Sequence, residues 1–411
     1  MKAKVQIKLS VMMFLEFFIW GAWFVTMWKY LAAIKLDSII GLAYSTTGIA
    51  ALISPLFVGM IADRFFSTEK VLATLHFVGA ILIYWVSTVT DPMLFFGVLL
   101  AYTICYMPTL ALVNSISLGQ MTCPEKEFPI IRVLGTIGWI AAGLIVGFMP
   151  ESVSGLETIE NTAIPMRIAA GASLVMAVYC LFLPHTPPAS AGRKITISDV
   201  LCFKALRLFK DSAFTIFIVC SFLVCIPLAF YYQSANGFLG EIGMKNAAAK
   251  MTLGQMSEIF FMLVMPLFFT RLGIKKMLLT GTFAWILRYL LFAFGDSGSR
   301  VMMLYAGILL HGVCYDFFFV TGQVYIDKKA PKEIQASAQG FLALVTLGLG
   351  MVIGNLINGY VTRYYTISGN PVSHDWMMIW LIPCAMAVVV LVVFTLLFRE
   401  NVKCNPECCE S

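Results

Sequence analysis

Runs of about twenty apolar residues recur from one end of this chain to the other, each long enough to cross the hydrocarbon core of a bilayer as a helix. Twelve are read, at about 9–33, 39–60, 71–90, 93–116, 130–148, 164–183, 214–238, 250–270, 277–294, 301–325, 335–360 and 376–398. A soluble core could not hide them. Of the 411 residues 60% are apolar and only 12% are charged, so the bilayer must act as solvent. A β-barrel would instead show alternating segments of about ten residues, and these are absent. The expected fold class is an all-α membrane protein with twelve transmembrane helices.

The net charge of +6 follows topology and does not mark a nucleic-acid surface. With the N-terminus inside, Lys2, Lys4, Lys8, Arg64, Lys70, Arg193, Lys194, Arg271, Lys275, Lys276, Lys328, Lys329 and Arg399 all fall on the inner face. The outer face keeps only Lys35, Lys245, Lys250, Arg300 and Arg363, apart from Lys29 and Arg167 near helix ends. The positive-inside rule then puts both termini in the cytoplasm. The first run is too long for a signal peptide and stays as a helix. Cys105, Cys180, Cys220, Cys225, Cys314 and Cys384 lie in apolar runs, where a thiol behaves as a small hydrophobe; Cys404, Cys408 and Cys409 fit no ligand spacing, so neither a disulfide framework nor a metal site is expected.

From His185 to Lys210 the hydrophobic rhythm breaks, through His185-Thr-Pro-Pro188 and Arg193-Lys194 to a basic amphipathic piece around Lys204 and Arg207. This predicts a six-helix half over 1–184, a cytoplasmic linker over 185–210 and a second six-helix half over 211–411 with a short tail. Two parallel halves about a basic loop are the layout of the major facilitator fold. A faint repeat agrees: Gly59-Met-Ile-Ala-Asp63-Arg64 follows the second run, and Arg271-Leu-Gly273-Ile-Lys275-Lys276 follows the eighth. Both resemble that superfamily's short loop motif, the first with Phe66 where a second glycine is usual.

Polar residues inside the runs carry the functional reading. A charge at mid-bilayer costs roughly 2.5–3.5 kcal/mol on insertion scales, so such groups are kept where they face a protein interior or a wet path. Gln255 and Glu258 share a helix face; His311 and Tyr315 are four apart, with Asp316 beside them; Arg132, Thr136 and Trp139 make one stripe. Glu16 with Trp20 and Trp23, Tyr102, Tyr106 and Asn114, Phe230-Tyr231-Tyr232-Gln233 with Asn236, Arg288, Gln339 and Asn355 add to the set. Together they suit a polar cavity walled with aromatics. Bland readings stand beside these: Glu258 and Asp316 in structural ion pairs with Arg288 or Arg132, Glu16 near the inner membrane face snorkelling or pairing between helices, His311 a packing histidine, Asn114 and Asn355 interhelical hydrogen bonds. An enzyme has no support, since H-E-x-x-H, G-x-S-x-G and a phosphate loop are missing and the histidines are scattered at 76, 185, 311 and 374.

The segments Trp20-Gly-Ala-Trp23, Tyr106-Met-Pro-Thr-Leu-Ala-Leu-Val-Asn114, Phe128-Pro-Ile-Ile-Arg132-Val-Leu-Gly-Thr136-Ile-Gly-Trp139, Tyr315-Asp316-Phe-Phe and Ala336-Ser-Ala-Gln339-Gly340 resemble the nucleoside:proton symporter family of bacterial nucleoside permeases. The resemblance runs from the first helix to the twelfth. It implies proton-coupled nucleoside import by alternating access across the bacterial inner membrane, with nucleoside and protons as partners, a monomer in the lipid bilayer and no cofactor. It further implies a substrate site drawing on helices 5, 7, 8 and 10, carried here by Arg132, Thr136, Trp139, Tyr232, Gln255, Glu258, His311 and Tyr315. Acidic residues on helices 8 and 10 are tied to the proton, here Glu258 and Asp316, with Asp316 the preferred carrier. On helix 7, where the family offers amides, this chain aligns Ala229 and Tyr232, and His311 stands in place of a tyrosine. The rival reading is proton-coupled transport of another small polar solute, such as a sugar or nucleobase.

Overall fold

The computed structural model describes residues 3–54, 66–122, 124–149, 158–187, 202–369 and 372–399, with the side chains of 124–126, 333 and 336 excepted. The Gly59–Arg64 loop motif, most of the linker's middle and the tail cysteines lie outside these residues. Ten helices among them are long and apolar enough to cross a membrane. One, Ala247–Phe294, is 48 residues long and breaks at Gly273, whose φ of 68° no longer belongs to a right-handed helix; it is therefore two spans. Adding the shorter apolar helix Ile164–Cys180 gives twelve.

We number them α1 (Ala3–Ala33), α2 (Asp37–Ser54), α3 (Thr68–Val86), α4 (Pro92–Gly119), α5 (Pro124–Phe148), α6 (Ile164–Cys180), α7 (Ser212–Glu241), α8 (247–272), α9 (274–294), α10 (Val301–Lys329), α11 (Ser337–Tyr364) and α12 (Trp376–Leu397). The Gly273 break falls in the second copy of the loop motif, where a left-handed turn favours a residue without a Cβ. Asp91, Asp211 and Asp375 cap α4, α7 and α12, each accepting from a backbone N–H of the first turn.

Three details differ from the even pattern of the runs. The first run is interrupted at Phe24–Thr26, so α1 is Ala3–Trp23 followed by Met27–Ala33. The backbone widens to π-helical turns over Asp316–Val320 in α10 and Leu344–Gly350 in α11. A two-residue hairpin pairs Thr366–Ile367 with Ser373–His374. Apolar periodicity cannot register any of these.

The chain divides into two compact units, Met1–Val200 with Lys245–Thr252, and Leu201–Met244 with Leu253–Ser411. In the first, α1 lies along α5 and α6, α3 along α4 and α6, and α2 along α4. In the second, α7 packs on α11 and α12, while Met265, Met277 and Phe317 join α8, α9 and α10 in one apolar cluster. Lipid tails are as apolar as leucine, so helices gain by close fit, and small residues allow it. Gly138 of α5 sits directly on the backbone carbonyl of Phe14 in α1, with no room for a Cβ.

Gly138→Ile is expected to force α1 and α5 apart and to cost about 1–3 kcal/mol, the usual range for overpacking. Thermal unfolding in detergent should show a lowered midpoint, whereas Gly97→Ala, at a position with nothing within 4 Å, should leave it in place.

Candidate functional site

In the second unit a column of side chains crosses from α9 to α8. The Arg288 guanidinium of α9 lies 3.6 Å from the centroid of the Tyr231 ring on α7. Tyr231 stacks on His311 of α10 at 5.1 Å and 24°. The His311 imidazole Nε2 then stands 3.8 Å from Glu258 Oε2 on α8. Tyr232 meets His311 edge-on at 6.1 Å, and Tyr315 lies 5.9 Å away along α10. Close contact of α8 and α10 makes this possible: a Cβ on Gly312 would fall 2.5 Å from the Ser257 carbonyl oxygen, so the helices touch one residue from both His311 and Glu258.

Arg288 and His311 are wholly buried. Arg288 Nε donates to the Gly307 carbonyl at 2.9 Å, and its two outer nitrogens have no hydrogen-bond partner among the described residues. In place of an ion pair with a carboxylate, Arg288 meets a carbonyl and an aromatic face. Cation–π contact is worth about 2 kcal/mol or more when desolvated, enough to help hold a guanidinium in that place.

Asp316 is also wholly buried, at the first residue of the π-helical turn in α10. Neither carboxylate oxygen has a hydrogen-bond partner among the described residues, and Glu258 is within electrostatic reach. The Gln233 amide of α7, equally buried, has both its oxygen and nitrogen uncommitted. Gln255 lies one turn from Glu258 and is 7% exposed. Beside them, Asn358 of α11 bonds Ser234 of α7 at 2.8 Å and accepts from Thr362 at 3.0 Å, a satisfied polar clasp. Ala229, aligned with an amide position of the family, backs against Gly354 of α11.

The first unit holds the α5 stripe. Arg132 lies over the Phe17 ring at 4.3 Å, Trp139 meets Trp20 edge-on at 5.4 Å, and Thr136 is buried between them along the helix. Sequence reasoning named Glu16, with pairing between helices as one reading, but not its partners: Glu16 of α1 is bound to His76 of α3 and Thr109 of α4. No spacing rule links residues on three separate helices. Elsewhere, an apolar groove of about 460 Å³ is lined by Gln6, Ile7, Ser10, Val11, Phe14 and Leu134, but it lacks converging polar groups and does not suit a polar solute.

A multi-pass helical bundle with uncommitted carboxylate, amide and guanidinium groups buried at mid-span belongs to the class of solute transporters. Comparison narrows the class. The nucleoside H+ symporter family matches residues 2–403, and the chain belongs to that family. It is 47% identical over 404 residues to the putative nucleoside transporter YegT of Escherichia coli, covering 97% of this chain and 95% of that one. With the nucleoside permease NupG of E. coli it shares 34% over 411 residues, 96% of each. The crystal structure of NupG superposes with a TM-score of 0.86 at 32% identity, covering 97% of this chain and 100% of the other. A POT family peptide transporter, PepTSo, aligns with a TM-score of 0.72 at 14% identity, a likeness of major facilitator fold alone. The activity is proton-coupled nucleoside transport; the chain is a membrane transporter and not an enzyme.

The Tyr231 ring, rather than its hydroxyl, is what Arg288 rests on, since the hydroxyl has no partner among the described residues. Tyr231→Phe should therefore leave the thermal midpoint in detergent unchanged or slightly raised. Tyr231→Leu should lower it by a few degrees, having removed about 2 kcal/mol of contact with a buried cation.

Proposed function

We propose that this chain imports nucleosides together with protons across the bacterial inner membrane by alternating access, as a monomer with both termini in the cytoplasm and the linker at 185–210. Arg132, Thr136, Trp139, Tyr232, Gln255, Glu258, His311 and Tyr315 are the proposed substrate-binding residues. Ribose offers hydroxyl donors and a base offers a flat face. Glu258 and Gln255 supply acceptors on one helical face, and Trp139 or Tyr315 supplies a ring for stacking. Asp316 is the proposed proton carrier, with Glu258 serving both ligands.

The observation that supports this division is the contrast between the two carboxylates. Asp316 is wholly buried with both oxygens without a hydrogen-bond partner among the described residues, so it is open to take and release a proton. Glu258 is partly exposed at 13% and stands beside His311, where an entering hydroxyl can reach it. His311 is pinned by stacking on Tyr231, which fixes the distance between imidazole and carboxylate. A ligand that cannot satisfy these buried groups loses affinity, because the groups are then left desolvated and unpaired.

Uptake into proteoliposomes tests the reading. An ionophore that collapses the proton gradient should abolish accumulation, and full accumulation on a sodium gradient alone would refute proton coupling. Glu258→Gln should weaken nucleoside binding by about 1.5–3 kcal/mol, the worth of a charge-assisted hydrogen bond. Asp316→Asn should keep binding while lowering the accumulation that a proton gradient drives. Competition by a panel of nucleosides, sugars and nucleobases separates the proposed substrates from other small polar solutes: only nucleosides should displace labelled nucleoside at low concentration.

A further inference from the structure

In the first unit, three helices meet at one carboxylate that the assignments above do not use. Glu16 of α1 has no solvent exposure, and His76 of α3 has 2%. Glu16 Oε2 and His76 Nε2 are 2.9 Å apart, and the Thr109 hydroxyl of α4 is 2.5 Å from Glu16 Oε1. Tyr106, one turn earlier on α4, donates its hydroxyl to the Glu16 backbone carbonyl at 2.6 Å. The Thr109 hydroxyl also lies 2.5 Å from the Tyr106 carbonyl oxygen.

That hydroxyl carries one hydrogen and faces two acceptors at equal distance. If Glu16 is a carboxylate, Thr109 donates to it. If Glu16 is an acid, its O–H donates to the Thr109 oxygen, and Thr109 donates onward to the Tyr106 carbonyl. Both arrangements use the same heavy-atom positions and leave neither oxygen unmet, while His76 serves Oε2 in each. The group can gain or lose a proton without repacking its helices. With one proton shared between Glu16 and His76 the pair has zero net charge.

The surroundings hold little that would settle its charge otherwise. Tyr102 and Tyr106 of α4 and Cys180 of α6 are the titratable groups within electrostatic reach of Glu16. On α5, the Arg132 guanidinium lies over Phe17, the residue next to Glu16.

We propose that Glu16 and His76 form a second proton-binding site, loaded and emptied in each transport cycle in addition to Asp316. This rests on the proton coupling proposed for Asp316, and it raises the coupling to two protons per nucleoside. The site's ligand is the proton alone: Glu16 and His76 bind no part of the nucleoside.

The test is the reversal point of net nucleoside flux in proteoliposomes, with the membrane potential clamped to zero and about one pH unit imposed. Each coupled proton then balances about a tenfold opposing nucleoside gradient, since one pH unit is a factor of ten in free-energy terms. The wild type should reverse near a hundredfold opposing gradient and Glu16→Gln near tenfold, with equilibrium nucleoside binding within about twofold of wild type. Glutamine can accept from His76 and donate to Thr109, so the variant keeps the interhelical bonds while losing the proton site. His76→Gln, read in the same way, should also reverse near tenfold and decides the matter if Glu16→Gln does not reach the membrane. A wild-type reversal near tenfold, or a folded Glu16→Gln that reverses where the wild type does, would overturn the second site and leave Asp316 coupling intact. An Asp316→Asn protein with wild-type reversal would instead refute the Asp316 assignment, and the Glu16 result would still stand.

Discussion

Inside the hydrocarbon of a bilayer an unbonded polar group costs several kcal/mol, and no water is at hand to relieve it. Most of this molecule obeys that constraint closely. Backbone groups are closed within helices, and the threonine and serine hydroxyls of the spans turn back to carbonyls three or four residues earlier, as in Thr46, Thr47, Ser117, Thr252 and Thr282. Asn358 is shared between Ser234 and Thr362, and Tyr289 donates its hydroxyl to the Pro227 carbonyl. Against such a background, the few groups that remain uncommitted stand out as places where something else must bind.

Several of those groups gather in the second unit. Asp316, Gln233, His311 and the outer nitrogens of Arg288 belong to three helices of one unit, and the Tyr231 ring joins Arg288 to His311. Glycines bring them together: Gly312 lets α10 press on α8 beside Glu258, and Gly281 brings α9 against the Phe317–Phe318 backbone just after Asp316. The packing that stabilises the unit and the geometry that equips it for transport are therefore the same contacts. A bulky substitution at Gly312 would disturb both.

The two units treat their buried carboxylates differently. Glu16 is fully hydrogen-bonded, by an imidazole and a hydroxyl, whereas Asp316 has neither oxygen bonded among the described residues. Saturation holds a charge or a proton with little movement, and an open carboxylate responds to whatever approaches it. A symporter has use for both behaviours, because proton binding has to be stable in one state and sensitive to the solute in another.

The twelve spans and the α5 stripe of Arg132, Thr136 and Trp139 were legible in the sequence, because hydrocarbon imposes a length of about twenty residues and a helix repeats its face every 3.6. The proximity of Glu258 to Gln255, and of His311 to Tyr315, follows from that same local period. What links one helix to another was not legible. His76 read as one of four scattered histidines, Arg288 as a partner for a carboxylate, and Ala229 as a residue facing solute. Only the tertiary structure places His76 on Glu16, lays Arg288 on Tyr231 and sets Ala229 against Gly354. The physical reason is that periodicity fixes which residues share a face of one helix, while the pairing of faces depends on small side chains at the crossings, and these carry no signal that names their partner across the gap.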